Sequence, residues 1–183
     1  SYINQYEVLE GLKPGGTFLL NCPWDAAELE KELPAKMKKY IAENNIQFYT
    51  IDAVKIAKEV GLNNRINMVT QTAFFKLTNV IPFEKATDLL KGAIKKTYGK
   101  KGDDIVNMNY AAVDRAVDAL HKVEVPAAWA NAEETEAVKG GCHATPDFVK
   151  NVVNPMNAQQ GDKLPVSAFT GREDGSFPMG TSR

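Results

Sequence analysis

The sequence predicts an α/β fold: an open, largely parallel sheet with flanking helices in a Rossmann-like three-layer arrangement, plus an irregular C-terminal extension. Three features carry that expectation. A glycine- and proline-rich turn, Gly11 to Gly16, delivers a short apolar run at Thr17 to Leu20 and then a helical pattern. A second β-rich run, I-Q-F-Y-T-I at Ile46 to Ile51, is also followed by a helical pattern. From Asn131 to Arg183 the periodicity fades, and Gly plus Pro number 10 in 53 residues against 12 in the first 130. Two strand–helix pairs on short links imply parallel pairing with right-handed crossovers.

Each element follows from local pattern. Tyr2, Tyr6, Leu9 and Leu12 fall near one face of an expected helix over Ile3 to Leu12, with Gly11 close to its end. After the strand Thr17 to Asn21, either Asn21 or Asp25 can cap the next helix, and Glu28, Glu30 and Glu32 enrich its first turns, where the macrodipole favours acids. Over Asp25 to Asn44, Leu29, Leu33, Met37, Tyr40 and Ile41 recur every three or four residues and make one buried stripe. Asp52 to Val60 reads as a short helix closed by Gly61. Asn63 to Leu77 is apolar on most sides, which predicts a helix buried against more than one layer. Pro82 and Glu84 open a helix that runs to Tyr98. Gly99 to Asp104 reads as a charged loop, and Asn107 or Asn109 as the cap of a helix from Tyr110 to about His121. In the tail, Phe148 to Val153 can form a turn or two of helix, ended by Pro155. The expected division is an α/β domain at 1–130 and a connector or arm at 131–183.

Composition narrows the function classes. The chain has 183 residues, 44% hydrophobic and 25% charged, enough for one core. A net charge of −1 gives no long-range field for nucleic acid or for an anionic membrane. The lysines at 36, 38 and 39 and from 91 to 101 have acids interspersed and read as solvated helix faces. No apolar run reaches the ~18 residues of a membrane span. Cys22 and Cys142 lack C-x-x-C or zinc spacing and fit a reducing cytoplasm. Ser1 opens without methionine on what reads as the middle of a domain, and F-P-M-G-T-S-R carries no stop of its own. A piece of a longer polypeptide is expected.

Five constellations could carry chemistry. Gly15-Gly16 precedes its strand, whereas a dinucleotide-binding loop must follow one, and the strand–helix turn N-C-P-W contains no glycine. Cys22 lies at a strand's carboxyl end near a helix start, a setting that either lowers a thiol pKa or simply buries a small residue. Cys142-His143 supplies two metal ligands, with His121 the only other histidine. Arg65-Ile66-Asn67 places a cation and an amide at the start of the most buried helix, where strand ends converge; the group either caps the helix or meets a ligand. Trp24 and Trp129 sit at element boundaries and read as packing anchors. No catalytic residues and no metal ligands are assigned in this chain.

Read together, several motifs occur in one order: S-Y-I-N-Q-Y-E-V-L-E-G-L-K-P-G-G-T-F-L-L-N-C-P-W, I-D-A-V-K-I-A, N-R-I-N-M-V-T-Q-T-A-F-F-K-L, P-F-E-K-A and V-N-M-N-Y-A-A-V-D. Over residues 1–130 they resemble the γ domain of the 2-oxoacid:ferredoxin oxidoreductases, in particular its single-chain, pyruvate-oxidising branch. The tail resembles the segment leading to that family's iron–sulfur domain. Cys22 departs from the family, which often carries serine in N-S-P-W. The resemblance implies a homodimeric parent that converts pyruvate and coenzyme A into acetyl-CoA and CO2 and reduces ferredoxin or flavodoxin. It further implies thiamine diphosphate, magnesium and 4Fe-4S clusters held by other domains, with none in this piece. By this resemblance the piece is an interface domain, inactive alone, with Arg65 and Asn67 toward the coenzyme A path. Three other readings stay open: a free-standing interaction module, a separate γ subunit and a nucleotide-binding domain.

Overall fold

Thr17–Asn21 (β1) and Gln47–Ile51 (β2) pair in parallel, Thr17 opposite Gln47 through Asn21 opposite Ile51. The two-residue strand His121–Lys122 (β3) adds antiparallel on the far side of β2, giving the order β1-β2-β3. The expected α/β class therefore holds, and its sheet is open and mixed. The computed structural model describes residues 2–4, 6–133, 146–178 and 181. It divides into two units, Gly11–Ala132, and Ser1–Glu10 together with Glu133–Arg183.

In the larger unit the strands alternate between two covered faces. Leu19 and Ile51 join a cluster with Ala53 and Ile56 of Ala53–Glu59 (α3), Leu62 of the turn after it, Val69 of Asn67–Thr78 (α4) and Ala116 of Asp103–Asp118 (α6). Phe18 and Phe48 point the other way and stack at 5.4 Å, and Trp129 closes on Phe48 at 6.3 Å. Ala26–Glu32 (α1) and Ala35–Glu43 (α2) lie on this second side, α2 packing on the 3-10 turn Ala127–Asn131 that carries Trp129. Phe83–Tyr98 (α5) completes the helical layer, burying Ala86, Leu90 and Ile94.

Several boundaries depart from sequence expectation. The helix expected over Ile3 to Leu12 is a 3-10 turn at Tyr2–Asn4 followed by further turns, which still buries Ile3 and Leu9. So short a segment does not repay helix nucleation. The single helix expected over Asp25 to Asn44 is two. Pro34 has no amide hydrogen and excludes the helical region for Leu33, whose ψ is 131°. The apolar stripe survives the break, with Leu29, Leu33, Met37 and Ile41 all buried. Helix α4 starts four residues late because Asn63 takes the left-handed conformation, φ 56°. It packs on α3, α5 and α6, yet leaves Phe74 52% exposed. Helix α6 starts at Asp103 behind Gly102, φ 106°, so Asn107 and Asn109 are interior positions. Asp103 and Asp104 complement its dipole, and the Asn109 side chain donates to the Ile105 carbonyl at 2.7 Å.

In the smaller unit, Val149–Val153 is a π-helical turn running into Asn154–Asn157 (α7). Pro155 sits in the first turn of α7 instead of ending the helix, a position where a missing amide hydrogen costs least. Lys163 pairs with Glu10 at 2.7 Å and ties the tail to the first residues of the chain.

The break at Pro34 has a second consequence. Lys38, nearly buried, reaches back to Glu30, donating to its carboxylate at 2.9 Å and also to its carbonyl. The indole N–H of Trp129 donates to the other carboxylate oxygen. These two hydrogen bonds, Lys38 first, hold the Glu30 carboxyl below its ordinary value. A depressed carboxyl stabilises the fold above its unfolded pKa, and that contribution is lost as pH falls through the folded value. Because the Glu30 side chain is 57% exposed, solvent screening keeps the effect modest. Glu30→Gln is therefore expected to lower the melting temperature slightly at pH 7, with the gap to the native chain closing below about pH 4. Thermal unfolding from pH 7 to pH 3 checks this, and a gap that stays constant contradicts it.

Candidate functional site

Open α/β sheets present their ligand-binding crevice at the carboxyl ends of the strands. Here that end is crowded with structural hydrogen bonds. The Asn21 side-chain oxygen accepts from the backbone of Ala53 at 3.0 Å, and the Cys22 amide donates to Ile51 at 3.0 Å. Asp25 and Glu28 form a reciprocal capping box on α1, and Asp52 caps α3 through the Lys55 amide at 2.9 Å. Three carboxylates at this edge are thus engaged in starting helices. The choice the sequence left open resolves as Asp25 on α1, while Asn21 serves α3.

Cys22 is buried, and burial pushes its thiol above the ordinary value; the carboxylates of Asp52 and Glu28 add to that, against an opposing backbone hydrogen bond from Trp24. Such a thiol is a poor nucleophile. Gly15 and Gly16 shape the entry turn: Gly15 has φ 73° and donates to the Asn44 carbonyl, and a Cβ on Gly16 would stand 2.8 Å from the Lys13 carbonyl. Trp129 is the packing anchor expected of it.

Arg65 and Asn67 lie together at the entrance to α4, both exposed. Neither caps the helix. Ile66 holds the cap position without any side-chain hydrogen bond and packs against the cluster containing Ile51 and Ala53. The start of α4 is thereby anchored to that cluster, while the Arg65 and Asn67 side chains stay exposed. At the opposite, amino end of β2 a groove of about 740 Å³ opens between Ile41, Asn45, Phe48, Lys122, Val125 and Ala130. No set of catalytic groups converges there.

Among the described residues no three His, Cys, Asp or Glu side chains come together to hold a metal. Cys142-His143 lies outside the described residues. Two cysteines in the whole chain cannot supply the four thiolates of an iron–sulfur cluster, so clusters of that kind do not fit here. No described helix is long and apolar enough to cross a membrane. The Glu30–Lys38–Trp129 group escaped sequence reasoning, and its one legible signal was Pro34, which turns α2 back on α1.

The state of Cys22 is directly measurable. In a Cys142→Ser background at pH 8, its reaction with a disulfide reagent is expected to be at least tenfold slower in the folded chain than in urea. Equal rates would mean an accessible, activated thiol.

A family model described as pyruvate ferredoxin/flavodoxin oxidoreductase matches residues 1–119, and another, described as a domain of unknown function, matches 134–183. The chain is 54% identical over 183 residues to a pyruvate:ferredoxin oxidoreductase of Moorella thermoacetica, covering 100% of this chain and 15% of that relative. It is 52% identical over 182 residues to a pyruvate-flavodoxin oxidoreductase of Enterobacter agglomerans, with the same coverage. A pyruvate dehydrogenase [NADP(+)] of Cryptosporidium parvum is 42% identical over 207 residues, covering 100% of this chain and 11% of that relative. Among solved structures, the pyruvate oxidoreductase subunit PORC of Thermotoga maritima shares the fold with a TM-score of 0.50 at 20% identity, over 64% of this chain and 57% of that one. The chain thus spans about 15% of the length of the first two of these relatives, and with one family model matching well over half of it, it belongs to the pyruvate ferredoxin/flavodoxin oxidoreductase family.

Proposed function

We propose that this chain is one domain and a following connector, about 1–130 and 131–183, of a cytoplasmic, homodimeric enzyme. That enzyme oxidatively decarboxylates pyruvate with coenzyme A, giving acetyl-CoA and CO2, and passes the electrons to ferredoxin or flavodoxin. The observation that carries this reading is identity above 50% across the whole chain to pyruvate:ferredoxin and pyruvate-flavodoxin oxidoreductases several times its length. The family's thiamine diphosphate, magnesium and clusters would supply decarboxylation and electron transfer from other domains. This chain's own residues build an interface.

Within that enzyme, Arg65 and Asn67 would line the approach of coenzyme A. A guanidinium and an amide, both exposed at one helix entrance, suit the phosphates of such a ligand. Relatives named for ferredoxin, flavodoxin and NADP(+) all align along this whole chain.

Arg65→Ala in the full-length enzyme tests the coenzyme A contact. Since Arg65 is exposed, the variant folds; the Michaelis constant for coenzyme A is expected to rise several-fold at nearly constant kcat, as for loss of a binding contact. An unchanged constant removes Arg65 from the path.

A further inference from the structure

Among the described residues of the unit formed by Ser1–Glu10 and Glu133–Arg183, the buried apolar side chains are Ile3, Leu9 and Val152. Three phenylalanines of this unit cluster together. Phe148 is flanked by Phe169 at 6.3 Å, edge-on, and by Phe177 at 5.5 Å, and the Arg172 guanidinium lies over its ring at 5.8 Å. Phe169 is 37% exposed, Phe177 54%, and Val166, at the start of the 3-10 turn that carries Phe169, 92%. Val166, Phe169, Arg172 and Phe177 come from one stretch of turns, and Phe148 from the helical segment that precedes Val149–Val153.

Two glycines and local hydrogen bonds set the turns. Gly171 and Gly175 take φ of 78° and 76°, the Glu173 carboxylate accepts the Gly171 amide at 3.0 Å, and the Asp174 carboxylate accepts the Ser176 amide at 2.9 Å. A loop fixed by its own hydrogen bonds loses little entropy on docking. Exposed aromatic side chains with an arginine among them are the residue types that anchor interfaces.

We propose that Val166, Phe169, Phe177 and the Arg172-covered Phe148 form a docking face for another domain of the same polypeptide, one presenting an apolar recess. The occupant follows from length. The first curated relatives align along the whole of this chain and extend far beyond it, so their polypeptide supplies the missing cover in every molecule. This inference rests on the proposed parent enzyme.

Hydrogen–deuterium exchange on the full-length enzyme tests it, with pyruvate oxidation assayed on the same preparation. Amides of 166–178 are expected to exchange at least tenfold more slowly than those of the Gly99–Gly102 loop. In the Phe169→Ser/Phe177→Ser enzyme that protection is lost, and a second segment outside this chain loses protection too, while β2 is unchanged. Fast exchange of 166–178 in the native enzyme overturns the proposal, as does a variant whose changes stay within 146–178. Failure of the parent reading looks different: the preparation does not oxidise pyruvate.

Discussion

Phe48 sets the terms for the larger unit. It is fully buried near the amino end of β2, stacked on Phe18 of the parallel neighbour and in ring contact with Trp129. A ring of that size leaves water only if three distant parts of the chain meet over it: the strand after the glycine turn, the α1–α2 crossover, and the segment returning after α6. The return is pinned twice. The Val123 amide donates to the Phe48 carbonyl at 2.9 Å, and Trp129 is tied to Glu30. The parallel register, the position of β3 and the buried placement of Lys38 all follow from enclosing one side chain.

On the other face, packing is finer-grained. Ala53, Ala57, Ala73, Ala112 and Ala116 are fully buried, and these small residues let α3, α4 and α6 approach the sheet and one another closely. Close approach leaves α4 with its outer residues facing away from the core, which is how Phe74 comes to be exposed and Arg65 and Asn67 accessible. At the carboxyl edge of the sheet, Asp25, Glu28 and Asp52 are committed to helix starts. Arg65 and Asn67, at the start of α4, keep exposed side chains.

Sequence pattern located β1 and β2 as short runs of β-favouring residues between turn signals, and the Leu29–Leu33–Met37–Ile41 stripe by its spacing of three or four. Spacing did not show the interruption at Pro34, since the stripe continues across it; steric exclusion at Leu33 decides there. The early start of α6 was hidden by a charged run that reads as loop, yet Asp103 and Asp104 are stabilised by the helix they begin. β3 was illegible for a different reason: two residues hold no period, and only the finished edge of β2 makes them a strand. The accessibility of Arg65 and Asn67 was legible as a helix start, while their freedom from capping depended on Ile66 taking that position.

The central claim is that this chain serves as a non-catalytic domain of a larger pyruvate-oxidising polypeptide. Its most direct test is to purify the protein containing this sequence from its native source and measure its mass together with pyruvate- and coenzyme A-dependent reduction of ferredoxin or flavodoxin. The account predicts a polypeptide several times longer than 183 residues that carries this activity. A native product of about 20.1 kDa, without the activity even when mixed with other cell fractions, would contradict it.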